Sequence, residues 1–230
     1  MTSWYLRPAG EGLVLRTKPR LASWNKASDP DQIALGAYLD DTEDLVAPSV
    51  PPSGLWSLWL SVGLPPDRKL TDTPDVDNLA LPLASRLAND RLASVWCSKR
   101  HADTSFVIVE PARKTQPPLP SAQLHRIRTT ASVASVTFKQ QVRSGLGDTA
   151  ELSAEAVSLQ IAFVVGPKRN WLNLWKPTID ALDPLLGRTY PGRDWHPKDG
   201  RIADIGLHLA IDASIGDAVE LVVAAGAVPT

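Results

Sequence analysis

Cysteine is almost missing from this chain: one residue, Cys97, in 230. A lone thiol excludes an internal disulfide framework and any zinc site built from cysteines, and it fits a reducing cytoplasm. Free cysteine is among the most buried residue types, so Cys97 is expected in the core rather than as a nucleophile. Long apolar runs are missing too. No stretch approaches the roughly 18 residues needed to span a bilayer, and the opening MTSWYLRPAGEGLVLRTKPR carries charge throughout, unlike a secretory leader. The expectation is a soluble, cytoplasmic protein. An excess of one charge is likewise absent: 24 basic residues stand against 25 acidic, a net of −1. Nothing therefore marks the whole chain as a polyanion binder. Four histidines (His101, His125, His196, His208) show no H-x-x-x-H or comparable ligand spacing, and none reads as a metal site.

What is present is apolar content of 43%, enough for one large domain or two small ones. Strand and helix signals come in an order that repeats. Trp4 to Arg16 reads as a strand or hairpin with a Gly-containing turn, and Asp31 to Leu45 has helical spacing. The run SGLWSLWLSVGL alternates Trp56, Leu58, Leu60, Val62 against Ser57, Trp59, Ser61, as a strand does. A helical stretch follows over Asn78 to Leu92, then two strands, Ala93 to Lys99 and Ser105 to Glu110. Residues 112–121, ARKTQPPLPS, are a linker by composition. Beyond it the order recurs. LHRIRTT reads as a strand, ASVASVTFKQQVRSG as a helix stopped by Gly145, and AVSLQIAFVVG as a strand. NLWKPTIDALDPLLG then reads as a helix ended by Gly187, and RIADIGLHLAID and AVELVVAAG as two strands.

The repetition extends to residues. Asn78-Leu79-Ala80-Leu81-Pro82 through Leu87 matches Asn173-Leu174-Trp175-Lys176-Pro177 through Leu182 at a constant offset. Arg91-Leu92-Ala93-Ser94-Val95 parallels Arg201-Ile202-Ala203-Asp204-Ile205. Matches in the same order along both halves point to internal duplication.

Two carboxylates at i and i+2 just before a helix, as in Asp75 and Asp77, can open into one mouth and share a hard cation. Mg²⁺ takes oxygen ligands and usually only one or two carboxylates, leaving room for water and a substrate phosphate. A helix N-terminus beside that phosphate adds partial positive charge, and a lysine one turn further in adds a whole one. The same acids also suit plainer roles. Asp77-Asn78 before an apolar helix is what an N-cap looks like, and Asp199-Gly200 is a routine turn pair. Asp90 reads equally as a surface acid and Lys176 as a solvated helix residue.

Thr73-Pro74-Asp75-Val76-Asp77-Asn78-Leu79 resembles the motif of the RusA-type Holliday junction resolvases, in which a D-x-D-N-L-x-K-P string opens the central helix. Asn173-Leu174-Trp175-Lys176-Pro177-Thr178-Ile179-Asp180-Ala181-Leu182 resembles its N-L-x-K-P-x-x-D-A-L portion, and Asp199-Gly200-Arg201-Ile202 its later acidic turn. The resemblance implies an α+β fold of two tandem β-α-β-α-β-β units, residues 1–112 and 113–230, forming a fused pseudo-dimer. It also implies Mg²⁺ held by aspartates and branched or junction DNA as partner, in DNA recombination and repair. Asp75, Asp77, Asp90 and Asp199 are then the candidate metal ligands and Lys176 the catalytic lysine.

Neither half carries the full pattern. Half one has Leu81 at the lysine position, and half two has Asn170 and Leu172 where the paired aspartates belong. If each site is built by one unit, as the resemblance implies, Lys176 need not reach Asp75 and Asp77, and Lys69 or Lys99 would have to substitute. Half two would then lack its cation. Endonuclease activity at one impaired site and an inactive pseudo-resolvase, binding DNA junctions or a protein partner, both remain open, as do monomer and homodimer. A third alternative is that the fold serves another assembly.

Residues 1–112 hold 11 basic and 14 acidic residues, a net of −3, and the remainder 13 and 11, a net of +2. Lys168, Arg169, Arg188, Arg193, Lys198 and Arg201 are the candidate DNA-binding cations, unless they are only solvated surface. Tyr190 and Trp195, in the same loop, can stack on an unpaired base or pin the loop to the body.

Overall fold

A computed structural model describes residues 1–21, 25–71, 74–117 and 123–228. Thr73 of the first motif and most of the Pro-rich end of the linker lie outside the described residues. The fold is mixed α+β around one large sheet. Among the described residues no helix is long and apolar enough to cross a membrane.

The chain opens with two short strands, β1 (Trp4–Tyr5) and β2 (Leu13–Val14). The sequence allows a strand or a hairpin here; both pieces are strands, but they do not pair with each other. β2 joins the edge strand of the large sheet, while β1 pairs with β6 (Lys114–Thr115), a strand inside the stretch read as linker. Helix α1 (Pro30–Val46) follows, with Pro30 at its start and the Asp29 carboxylate accepting from the Asp31 N–H at 2.9 Å. Strand β3 (Trp56–Leu64) leads to α2 (Val76–Leu87), β4 (Leu92–His101) and β5 (Phe106–Pro111). In α2, Val76, Leu79, Ala80, Leu83 and Ala84 are buried at the spacing of one helical face.

The second half has the same element order: β7 (Gln123–Thr129), α3 (Val136–Leu146), β8 (Val157–Val165), then β9 (Ile202–Ile211) and β10 (Val219–Ala227). Gly145 does not stop α3; it lies within the last turn, and Gly147, with φ of 62°, is the cap. The expected single helix before Gly187 is broken. A 3-10 turn at Leu172–Leu174 runs into α4 (Trp175–Asp180), and α5 (Asp183–Leu186) follows. Pro184 explains the break, since its missing N–H suits a fresh first turn and not a helix interior.

The large sheet has eight strands in the order β2-β5-β3-β4-β9-β8-β10-β7. β4 and β9 meet antiparallel at its centre, and each has a parallel partner outside it, β3 and β8. Each of those has an antiparallel partner further out, β5 and β10. Both parallel pairs carry a register shift at the same point, between Trp56 and Ser57 and between Val157 and Ser158. One apolar core runs beneath the helices from Leu58 and Leu60 through Val95, Cys97, Ile205 and Leu207 to Ile161 and Val223. Cys97 is fully buried there, as expected, and burial pushes its thiol well above its usual range.

The opposite face holds Ser57, Trp59, Ser61, Trp96, Asp204 and His208, and β1 lies against β9. Arg7 binds Asp204 at 2.6 Å and stacks on Trp59 and Trp96. Trp4 and Trp96 meet the ring of His208 edge-on, at 5.1 and 5.2 Å.

Candidate metal centre

The loop after β3 delivers Asp75 and Asp77 to the start of α2. Asp75 takes the N-cap position (φ −62°, ψ 134°), yet its carboxylate makes no capping bond to the helix backbone. It accepts instead from the Asn78 side-chain amide at 3.1 Å. Asp77, one turn position on, is 2% exposed, and its Oδ1 is buried with no hydrogen-bond partner. A cap would explain neither fact. A buried carboxylate oxygen without a partner costs free energy that a ligand in the site can recover.

From the other half of the chain come Asp199, in the turn before β9, and Lys176, on α4. Oxygens of Asp75, Asp77 and Asp199 all lie within 4.8 Å of one another, the one such acidic group among the described residues. Lys176 Nζ donates to Asp199 at 2.7 Å and lies 3.4 Å from Asp180 and 3.9 Å from Asp77. Lys99, buried near the end of β4, donates to the carbonyl of Gly200 at 2.7 Å and so holds the Asp199 turn against the sheet.

Burial first, and then its neighbours Asp75 and Asp199, push the Asp77 carboxyl up to about 7, against the pull of Lys176. Asp75 is raised for the same reasons, burial and then Asp199. Burial alone would lower Lys176, but Asp77 and Asp199 hold its ammonium well above the ordinary lysine range. The lysine therefore stays charged. Crowded carboxylates and one orphaned oxygen, with Lys176 and Lys99 as the nearby cations, describe a site that can hold a divalent ion. Oxygens this close can converge on one hard cation, which binds carboxylate oxygens at about 2.0–2.1 Å for Mg²⁺ and about 2.3–2.6 Å for Ca²⁺.

The expectation that each site stays within one unit is overturned by these contacts. The four residues come from both halves and meet because β4 and β9 pair, bringing Ser98 beside Asp204. Asp90 is not among them. It lies in an exposed turn before β4, lining a crevice with Met1, Ile211 and Asp212. Leu92 to Lys99 alone is roughly 23 Å of extended chain, so Asp90 cannot share an ion with Asp75 and Asp77. Lys69 is exposed in the loop after β3.

The six candidate DNA-binding cations fall in two places, Lys168 and Arg169 after β8 and the other four in the 188–201 segment, where Arg188 bridges to Pro197. Arg188 binds the fully buried Asp183 at 2.7 Å and Asp194 at 3.2 Å. Lys198 and Arg201 both bind Glu151, and Arg201 also donates to the Leu186 and Leu152 carbonyls. Lys168 and Arg169 follow the last residues of β8, at the other end of the strands from Asp199. Arg193 stacks on Tyr190 at 5.5 Å, both exposed. Trp195 pins its loop, lying under the Arg143 guanidinium at 3.9 Å. Two residues given no role from the sequence matter here: Asp180, quoted only as part of the motif and lying beside Lys176, and Asp183, which Arg143 grips with two nitrogens. The i, i+4 spacing of Lys176 and Asp180 was a usable signal; for Asp183 there was none. A scan against protein-family models finds no match, and a search of curated proteins finds no relative.

Proposed function

We propose that the chain is a tandem, fused relative of the RusA-type resolvases whose two halves jointly build one metal-dependent phosphodiesterase site for branched DNA. The observation that carries this reading is the meeting of Asp75 and Asp77 with Lys176 and Asp199 across the β4–β9 junction. Each half lacks what the other supplies. The palindromic strand order and the matching register shifts support the duplication. The register shifts align Leu92 with Ile202 and so Asn89 with Asp199, while the match of Asn78-Leu79 to Asn173-Leu174 in the sequence aligns Asp75 and Asp77 with Asn170 and Leu172.

Asp75, Asp77 and Asp199 would hold the ion, with Mg²⁺ favoured by the all-oxygen donor set. A bound ion there would lower the pKa of a coordinated water and offset negative charge on a phosphate. The chain's own residues do the rest. Lys176, permanently charged and 35% exposed, is placed to meet a phosphate oxygen and stabilise negative charge developing there. Asp180 holds its ammonium from the far side, and Lys99 fixes the turn that carries Asp199.

The test is cleavage of a labelled four-way junction, a flap and a linear duplex, with Mg²⁺, Mn²⁺ or EDTA. Metal-dependent cutting of the branched substrates, lost in Asp77→Asn, is expected. A second reading, a DNA or protein binder without chemistry, draws on the paired state of Arg188, Lys198 and Arg201, which leaves less free positive charge for a backbone. Salt-sensitive junction binding without cutting, in both proteins, would favour it.

A further inference from the structure

We infer that the chain opens only one strand per encounter, acting as a nickase on branched DNA. This rests on the reading above and goes beyond it by fixing the product. The positions that mirror the candidate site are filled by groups unable to bind a cation. Leu172 is buried in the main core, and Leu81 packs against it. The Asn170 side-chain carbonyl is spent on the Leu172 N–H at 3.0 Å. That of Asn89 is spent on the Trp56 indole N–H at 3.0 Å and the Arg91 N–H at 2.9 Å. The mirror position therefore has two apolar side chains and two neutral amides whose oxygens cap local turns. Asp75, Asp77 and Asp199 remain the one acidic group among the described residues.

The asymmetry reaches the centre of the sheet. Trp96 and Gly206 lie directly opposite each other at the β4–β9 junction, and a Cβ on Gly206 would come within 2.7 Å of the Trp96 ring. A symmetric pair of identical units would have to place the same residue on both sides. A fused chain need not, so its two halves are free to diverge in the site as well.

One site supports one hydrolysis. The oxygen of a water bonds to phosphorus and the bond from phosphorus to one bridging oxygen breaks. That oxygen leaves as a hydroxyl carrying one proton of the water, and the other proton is released from the phosphate monoester to solvent. Among the described residues there is no second acidic group to cut the opposing strand.

A supercoiled plasmid with an inverted repeat that extrudes as a cruciform, incubated with the full chain and Mg²⁺, separates the outcomes. Two cuts within one bound complex give linear DNA. A single cut gives open circles, and because the nick releases the supercoiling that holds the cruciform out, the second cut then loses its substrate. Open circles are expected to dominate at all early times and at every protein concentration, and to vanish with Asp77→Asn. Linear DNA as the main first product, or linear DNA that takes over as protein concentration rises, would overturn the inference while leaving the proposed function standing. Absence of any incision would remove both.

Discussion

Replacing Gly206 with alanine tests the packing at the centre of the sheet. The added Cβ would lie 2.7 to 2.9 Å from three atoms of the Trp96 six-membered ring, against the 3.5–4.0 Å that carbon pairs prefer. The ring has little freedom to yield. It is 4% exposed, lies edge-on to His208 at 5.2 Å and carries the Arg7 guanidinium at 4.9 Å. Overpacking a well-filled site costs about 1–3 kcal/mol, and three close contacts to a locked ring place this case near the upper end. Removing a glycine from the unfolded chain returns roughly 0.4–1 kcal/mol, for a net loss of about 2 kcal/mol. In a chain of this length each kcal/mol moves Tm by about 2–4 °C, so a fall of about 4–8 °C is expected. Urea unfolding followed by tryptophan fluorescence measures the free energy directly. Trp96→Phe removes part of the clashing ring, and the double variant should be more stable than the sum of the single changes predicts. An unchanged Tm in Gly206→Ala, with no coupling in the cycle, would refute the argument that the two central strands need unlike residues there.

Three further outcomes are expected. Mg²⁺ at a hundredfold excess over its Kd should stabilise the wild type by about 2.7 kcal/mol, read as a thermal shift; Asp77→Asn and Asp199→Asn should show little or no shift, and an equal shift in all three would place the ion elsewhere. Lys176→Met should slow cleavage by roughly 100-fold while keeping the Mg²⁺ shift, because the lysine acts on the phosphate and not on the ion; a lost shift would instead mark it as a structural brace. His208 is buried neutral, its Nδ1 accepting from the Tyr5 N–H and its Nε2 facing Gln160, and burial lowers it to about 3. The unfolded state takes up a proton below about 6.5 and the folded state does not, so this contribution is complete above that pH and is lost as pH falls towards 3. The loss is about 2 kcal/mol at pH 5. His208→Gln should flatten that part of the urea-midpoint profile, and parallel profiles for the two proteins would contradict it.

Much of the fold was legible because its signals are local. Alternation in β3 put Trp56, Leu58, Leu60 and Val62 into the core and Trp59 on the other face, as the pattern required. Helical spacing placed α1 to within a residue, but the reading of α2 overran its end by five residues into the first residue of β4, and that of α3 began five residues early. The larger errors lay where pairing partners decide. Trp4–Tyr5 looked like one arm of a hairpin, but its partner is Lys114–Thr115, far along the chain. Within the candidate site, the pairing of Asp75 with Asp77 was visible because i and i+2 before a helix is a local arrangement. Asp90 was nominated by the resemblance as a third carboxylate, and it is excluded because it stands before the start of β4 while the site lies at that strand's other end, beside Lys99.

The sequence by itself determined the parts: two similar series of strands and helices, a carboxylate pair at one helix start, and a lone lysine and aspartate in the other half. Periodicity, capping residues and prolines act over a few residues, so a chain read alone discloses what they dictate. Only the tertiary structure brings these residues of the two halves close together. The antiparallel meeting of β4 and β9, fixed by side-chain packing between residues about a hundred positions apart, sets Lys176 within 3.9 Å of Asp77. No spacing in the sequence encodes that distance, because it is set by the sheet's register and not by the chain between the two residues.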